Sequence, residues 1–360
     1  MPDLNMNKRT ILFLIPYSES TKGGMTEITR MYINEGFFKD PNIHMLNTFF
    51  KSGNNRINFL IRFITIKLRF IRDIFKLKPD VVYVMTSAYA SFYDKMIYCI
   101  IGKIFSKKIM LNVVGAFDDF YEAKSINRIL IPWSLSIPDA IIVGGNFWTH
   151  YFKKNFPKLK IETIPNPVNS GEYHRLTKKD DNKIKIVFLS ELTMPKGLTE
   201  LVSIIKKIED KSDKFDFVIM GDGKGYNWLV EQLSKQVEKG FVSIKGRVSH
   251  EVKINELAKA DLYLFLSHSD FMPISVLEAM SASLPILSTD VGALPDLVHN
   301  EVNGYLFSPG DVDPIVDKLL MLQENKHLIE DMGEQSRKIV MKDYDLHAVY
   351  GKQLELSNNI

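Results

Sequence analysis

Two carboxylates eight positions apart, Asp270 and Glu278, bracket the run D-F-M-P-I-S-V-L-E, and Pro273 between them marks where a helix can begin. Ahead of them, Ala260 to Leu266 is a continuous apolar run, the pattern of a buried parallel strand. A strand, a polar turn and a helix with proline in its first turn make an anion site, because the unbonded amides of Ile274 and Ser275 point out of the helix end. Glu278 falls on the helix face of Ile274 and Ser275, at the i+4 and i+3 spacings. Val276, Leu277, Ala279 and Met280 around it are apolar, so this carboxylate requires a partner, and a ligand hydroxyl is one that would serve. The competing reading is that Asp270 caps the helix and Glu278 is its solvent-facing residue.

Lys196, in F-L-S-E-L-T-M-P-K-G-L, supplies a cation after another strand-like run, Lys185 to Leu189. A lysine before glycine is ordinarily a solvated surface group, but at a strand's carboxyl end it is placed to meet an anion. Arg247 in K-G-R-V and Ser190 beside the same turn are further candidates. Gly23-Gly24 follows the first strand where a helix begins, and reads either as a flexible turn or as a place where a ligand approaches backbone. Gly221-Asp222-Gly223 is a weak nucleotide signal, since no G-x-G-x-x-G follows a first strand. Asp311/Asp313 and Asp343/Asp345 read as helix-opening caps, and no His, Asp or Glu cluster, His268 included, has metal spacing, so no metal is expected.

At 360 residues, 45% hydrophobic and 25% charged, the chain can build two full cores. Its one cysteine, Cys99, excludes an internal disulfide and sits among Met96, Ile97, Ile100 and Ile101, which reads as a buried structural thiol in a reducing compartment. Ile11 to Ile15 reads as a first strand and not a signal peptide, and no apolar run reaches membrane-spanning length, so the expected place is the cytoplasm. Charge is uneven. Residues 1–166 hold 23 Lys and Arg against 13 Asp and Glu, which suggests a surface that meets anions.

Apolar strands alternate with helical patterns through both halves, the signature of doubly wound parallel sheets, whose ligands bind beyond the strands' carboxyl ends. The expected division is 1–166, a linker over 167–183, a second domain over 184–342, and a closing helix over 343–360. Within the first half, residues 56–78 are unusual. Asn58, Arg62, Thr65, Arg69, Arg72 and Lys76 make one face and Ile57, Leu60, Ile61, Ile64, Leu68, Ile71 and Phe75 the other. Such a helix packs its apolar face on the sheet, or lies on an anionic lipid surface if that face is wider than the sheet covers.

The ordered run from Asp270 through A-M-S-A-S-L-P-I-L-S-T-D-V-G-A-L-P-D-L-V to N-G-Y-L-F closely resembles the donor-binding half of family-4 retaining glycosyltransferases of the GT-B fold. K-I-M-L-N-V-V-G-A-F-D-D-F-Y-E, at Lys108 to Glu122, resembles the same family's first domain. The resemblance implies two Rossmann-like α/β domains facing across a cleft, and transfer of a sugar from a nucleoside-diphosphate sugar to a hydroxyl without metal or cofactor. Lys196 would hold the donor diphosphate together with the amides of Ile274 and Ser275. Glu278 would bind ribose hydroxyls and Asp270 sugar hydroxyls. Ser190, Arg247, Phe271, Met272, Pro273, Gly23 and Gly24 would complete the donor side, with Gly115 and Asp118 toward the acceptor. Four positions depart from the family pattern: Asp270 replaces Glu, Ser283 Gly, Val114 His and Glu191 Arg. With the basic helix, the resemblance implies a lipid-linked or oligosaccharide acceptor of surface-polysaccharide assembly at the inner membrane face, and no nucleic acid. A non-catalytic nucleotide-sugar-binding module and a GT-B sugar epimerase are the alternatives.

Overall fold

Every strand pairs in parallel, as continuous apolar runs separated by helices require. The computed structural model describes residues 9–18, 23–49, 56–115, 117–176 and 183–360, with Arg56 described by its backbone alone. Residues 19–22 of the first glycine loop and 177–182 of the expected linker lie outside the described residues. The chain divides into two units, residues 1–166 with 347–360, and residues 167–346.

The first unit runs β1 (Ile11–Ile15), α1 (Gly24–Asn34), β2 (Ile43–Asn47), α2 (Arg56–Leu77), β3 (Val81–Thr86) and α3 (Ala90–Ile104). It continues with β4 (Lys108–Val113), α4 (Asp118–Glu122), α5 (Asn127–Leu135), β5 (Ala140–Val143), α6 (Asn146–Asn155) and β6 (Ile161–Thr163). Its sheet order is β2-β1-β3-β4-β5-β6, so the chain reverses its direction of travel between β1 and β3.

The second unit opens with β7 (Ile184–Leu189), α7 (Leu198–Lys207), β8 (Phe215–Met220), α8 (Tyr226–Gln232), α9 (Ser234–Glu238) and β9 (Val242–Gly246). Next come α10 (His250–Ala258), β10 (Leu262–Phe265), α11 (Ile274–Ser281), β11 (Ile286–Thr289), α12 (Leu294–Leu297) and β12 (Gly304–Phe307). The last helices are α13 (Asp313–Glu324), α14 (Lys326–Asp343) and α15 (Leu346–Asn359). The sheet order β12-β11-β10-β7-β8-β9 reverses between β7 and β10. Ile186, Phe188, Phe217, Leu262 and Leu264 of its strands join Leu201 and Ile205 of α7 in one buried core.

Several boundaries differ from the sequence reading. Residues 167–176 are not a free linker. Val168 is buried and bridges to Asp345, and Ser170 Oγ donates to Asp345 Oδ2 at 2.6 Å. Asp343 ends α14 instead of opening a helix, and the closing helix starts at Leu346. That helix packs within the first unit, with Tyr350 stacked on Phe37 at 3.9 Å and Tyr32 Oη donating to Gln353 Oε1 at 3.0 Å. α1 ends at Asn34, where Gly36 turns left-handed at φ 75°. A break at Leu233 separates α8 from α9.

The largest difference is in α2. Its buried residues are Ile66, Phe70 and Ile74 with Lys67 and Asp73, while the stripe expected to pack inward faces out: Ile57 is 69% exposed, Leu68 60% and Phe75 63%. No helix among the described residues is long and apolar enough to cross a membrane.

Candidate functional site

Lys196 follows β7 and Asp270 follows β10, the two strands that flank the reversal point of the second sheet. A crevice at the carboxyl ends of such strands is where open α/β sheets take ligands. The two side chains meet there, Lys196 Nζ to Asp270 Oδ2 at 2.7 Å, with a further hydrogen bond of 3.3 Å from Nζ to Ser269 O. Asp270 Oδ1 accepts from its neighbour's amide, Phe271 N, at 2.9 Å, so the carboxylate is held by the turn and not spent on a helix cap. The N-cap of α11 is Pro273, which has no side-chain cap.

The first bonds into Pro273 O come from the amides of Val276 (3.2 Å) and Leu277 (3.5 Å), which leaves the amides of Ile274 and Ser275 at the open helix end. Phe271, Met272, Pro273 and Ile274 are buried and Ser275 half-buried. Beneath them Tyr263 is fully buried and donates to Leu189 O at 2.9 Å; burial pushes its phenol well up, and so do Glu278 and Asp270, against a hydrogen bond with Ser275.

Glycines let these turns close on one another. A Cβ on Gly197 would stand 2.2 Å from Leu266 O, and one on Gly292 would stand 2.0 Å from Asp270 O; both have positive φ, +81° and +54°. Gly221 and Gly223 of the G-D-G run serve the same close packing, since Cβ atoms there would lie 1.8 Å from Ser190 O and 2.5 Å from Leu192 O. At Ser283, the departure from glycine falls on a left-handed residue, φ 60°, at the end of α11 where glycine is favoured.

Glu278 is 6% exposed, so it is not the solvent-facing residue of its helix. Its partner is a side chain the sequence reading missed, Lys253 of α10, with Nζ 2.5 Å from Oε1. Lys253 lies mid-helix in H-E-V-K-I-N-E, and nothing in that local pattern separates it from a solvated lysine. The candidate site therefore holds two acid–lysine pairs, one on each side of the α11 N-terminus. His268 Nε2 lies 2.8 Å from Glu200 Oε1 at the outer edge of the same turn, and Glu200 Oε2 is buried without a partner among the described residues. Arg247 is exposed at the start of the β9–α10 connection, and Glu191 is exposed beside half-buried Ser190.

Gly23, Gly24, Gly115 and Asp118 belong to the first unit. Gly23 has φ +117° with open space where its Cβ would be, so the backbone there is accessible. Gly115, φ +153°, lies against Ser87 of the neighbouring turn, and Val114 continues the strand, nearly buried. Asp118 opens α4, and its Oδ1 is a buried oxygen with no hydrogen-bond partner among the described residues, as is Tyr151 Oη. Burial, then the charges of Asp118 and Glu122, push the Tyr151 phenol up. Cys99 is buried, and burial pushes its thiol up to about 12, as suits a structural residue. Among the described residues no group of His, Cys, Asp and Glu side chains is arranged to hold a metal ion.

Residues 169–339 match the model of the family described as "Glycosyl transferases group 1". The matched segment resembles a group 1 glycosyltransferase domain. It contains Lys196, Lys253, Asp270 and Glu278. The 2-deoxystreptamine N-acetyl-D-glucosaminyltransferase of Niallia circulans is 26% identical over 73% of this chain and 64% of its own length. The chain spans about half to just under two thirds of the curated relatives it matches. Among solved structures, sucrose-phosphate synthase from Thermosynechococcus elongatus superposes with a TM-score of 0.77 at 13% identity, over 98% of this chain and 99% of that one. HepE from Anabaena, solved in complex with UDP, gives a TM-score of 0.72 at 14% identity, over 98% of this chain and 100% of that one. The fold is GT-B, an α/β architecture of two Rossmann-like domains, and the segment that matches the group 1 model lies within the second of them.

Proposed function

We propose that this chain is a retaining, metal-independent glycosyltransferase that moves a sugar from a nucleoside-diphosphate sugar to the hydroxyl of a lipid-linked glycan. The observation that carries the reading is the Lys196–Asp270 pair set against the open N-terminus of α11 at the sheet's reversal point. The anomeric carbon–phosphate oxygen bond breaks as the bond from the acceptor oxygen to that carbon forms. The acceptor's proton goes to the departing phosphate oxygen. Negative charge develops on the diphosphate, and Lys196 with the amides of Ile274 and Ser275 stabilises it. Asp270 holds the sugar hydroxyls and orients the anomeric carbon, and Glu278 takes the ribose hydroxyls. The relative that transfers N-acetylglucosamine and the neighbour holding UDP make UDP-N-acetylglucosamine the first donor to test.

One nucleotide among UDP, GDP and ADP is expected to raise the melting temperature, and its sugar conjugate to release free sugar slowly in the absence of acceptor. No nucleotide response sinks the reading. An isomerised donor assigns an epimerase instead, and binding without turnover assigns a non-catalytic module.

The membrane part of the proposal, peripheral attachment at the inner face of the plasma membrane, rests on α2. Its outward apolar stripe lies beside exposed Arg62, Arg69 and Arg72, which suits an interfacial helix on anionic lipid. At about 1 kcal/mol per basic residue, replacing all three with Glu is expected to weaken co-sedimentation with phosphatidylglycerol vesicles by roughly two orders of magnitude. If the parent protein stays in the supernatant, the membrane part fails.

A further inference from the structure

A cavity of about 620 Å³ opens at the carboxyl edge of the first sheet, at the reversal between β1 and β3. That volume lies within the range of small-molecule sites. Its walls come from the ends of two strands and from two helices: Pro16 after β1, Thr48 after β2, Phe59 and Phe63 of α2, and Tyr93 and Ile97 of α3. The lining is mostly carbon, yet three features at its edge are polar. Thr48 is 1% exposed, and its Oγ1 has no hydrogen-bond partner among the described residues. Ala90 and Ser91, the first residues of the 15-residue α3, bring the positive end of that helix to the cavity. Asp94 accepts from two nearly buried lysines, Lys67 and Lys95 Nζ, the latter at 2.6 Å, and Lys67 Nζ also stands over the Phe63 ring.

Each feature alone has an ordinary explanation. A buried threonine oxygen can be left idle at a cost, and a lysine pair on one aspartate can be structural. Their convergence on one apolar cavity at a sheet reversal is what needs a ligand. Carbon walls take an alkyl chain. A hydroxyl, a helix N-terminus and the Lys67–Asp94–Lys95 cluster take an anionic head group. We infer that this cavity binds an aliphatic chain joined to a phosphate, the anchoring end of a lipid-linked acceptor. The inference rests on the acceptor class proposed above and names the side chains that would recognise it.

The test needs neither donor nor turnover, so its failure is distinct from failure of the transferase reading. Dodecyl phosphate, below its micelle concentration, is titrated calorimetrically into the full chain beside dodecanol and inorganic phosphate. One-to-one binding of dodecyl phosphate is expected, with dodecanol at least tenfold weaker and inorganic phosphate undetected. Ala90→Trp, at an exposed first helical position, fills the cavity and should abolish binding with the melting temperature unchanged. Thr48→Val removes the idle hydroxyl without changing volume, and is expected to raise the melting temperature while weakening binding about tenfold. A merely structural threonine would move the first readout and not the second. The inference is overturned if a folded Ala90→Trp protein binds dodecyl phosphate like the parent. Equal binding of dodecanol overturns it as well, by showing a cavity indifferent to charge, and so does inorganic phosphate binding that dodecyl phosphate does not surpass, by showing an anion site that needs no chain.

Discussion

Lys196→Ala is expected to lower the turnover of sugar transfer by roughly 10²- to 10³-fold, the usual cost of removing one group that stabilises developing charge. The fold should survive, because the Lys196–Asp270 pair is partly solvated, with side chains 25% and 19% exposed, and pairs of that kind contribute little to stability. The loss should appear in kcat more than in donor KM, since the charge that Lys196 is proposed to meet is largest as the diphosphate departs. Asp270→Asn gives a contrasting result. It releases the lysine for the diphosphate, so donor binding should hold or tighten, while turnover falls because the sugar is no longer oriented. Single-turnover kinetics on both variants check the pair. A Lys196→Ala enzyme that keeps turnover within tenfold of the parent, with an unchanged melting temperature, would remove the lysine from the mechanism.

What the sequence disclosed about this region, and what it hid, follows from the range of the interactions. The strand, turn and helix from Ala260 to Ser281 were legible because apolar continuity and a proline at a helix start are local signals. The meeting of Lys196 with Asp270 was only approachable, since it follows from two loops lying at the ends of adjacent strands, and strand adjacency is a property of the sheet. Lys253 was out of reach: it answers Glu278 from a helix on another connection, and its own helix gives it no special environment. In α2 the failure has a different cause. Its buried face is a narrow line of Ile66, Phe70 and Ile74 that also includes Lys67 and Asp73, so polar residues masked it, while a broader apolar stripe pointing outward supplied a stronger but misleading periodicity. Lys67 can be buried there because Asp94 receives it.

The second large effect is expected at Lys253, where stability and function can be separated. Lys253→Met leaves Glu278 nearly buried with no cation beside it, and breaking a buried pair from one side costs about 3–5 kcal/mol. That should appear as a large fall in the denaturant midpoint. Replacing both partners, Lys253→Met with Glu278→Leu, removes the uncompensated charge and should restore most of the stability, because apolar residues of similar volume often match a buried pair. The restored protein then lacks the carboxylate proposed to take the ribose hydroxyls, and nucleotide affinity should drop at least tenfold, the cost of leaving those hydroxyls unpaired in a site built around them. Equilibrium unfolding and nucleotide titration on the same double variant give the answer. Full stability with full nucleotide affinity would make the Lys253–Glu278 pair a packing device and leave the helix amides and Lys196 to hold the donor. Recovered stability with lost affinity would mean that the same carboxylate anchors α10 against α11 and addresses the ribose, with Lys253 holding it in place until the donor arrives.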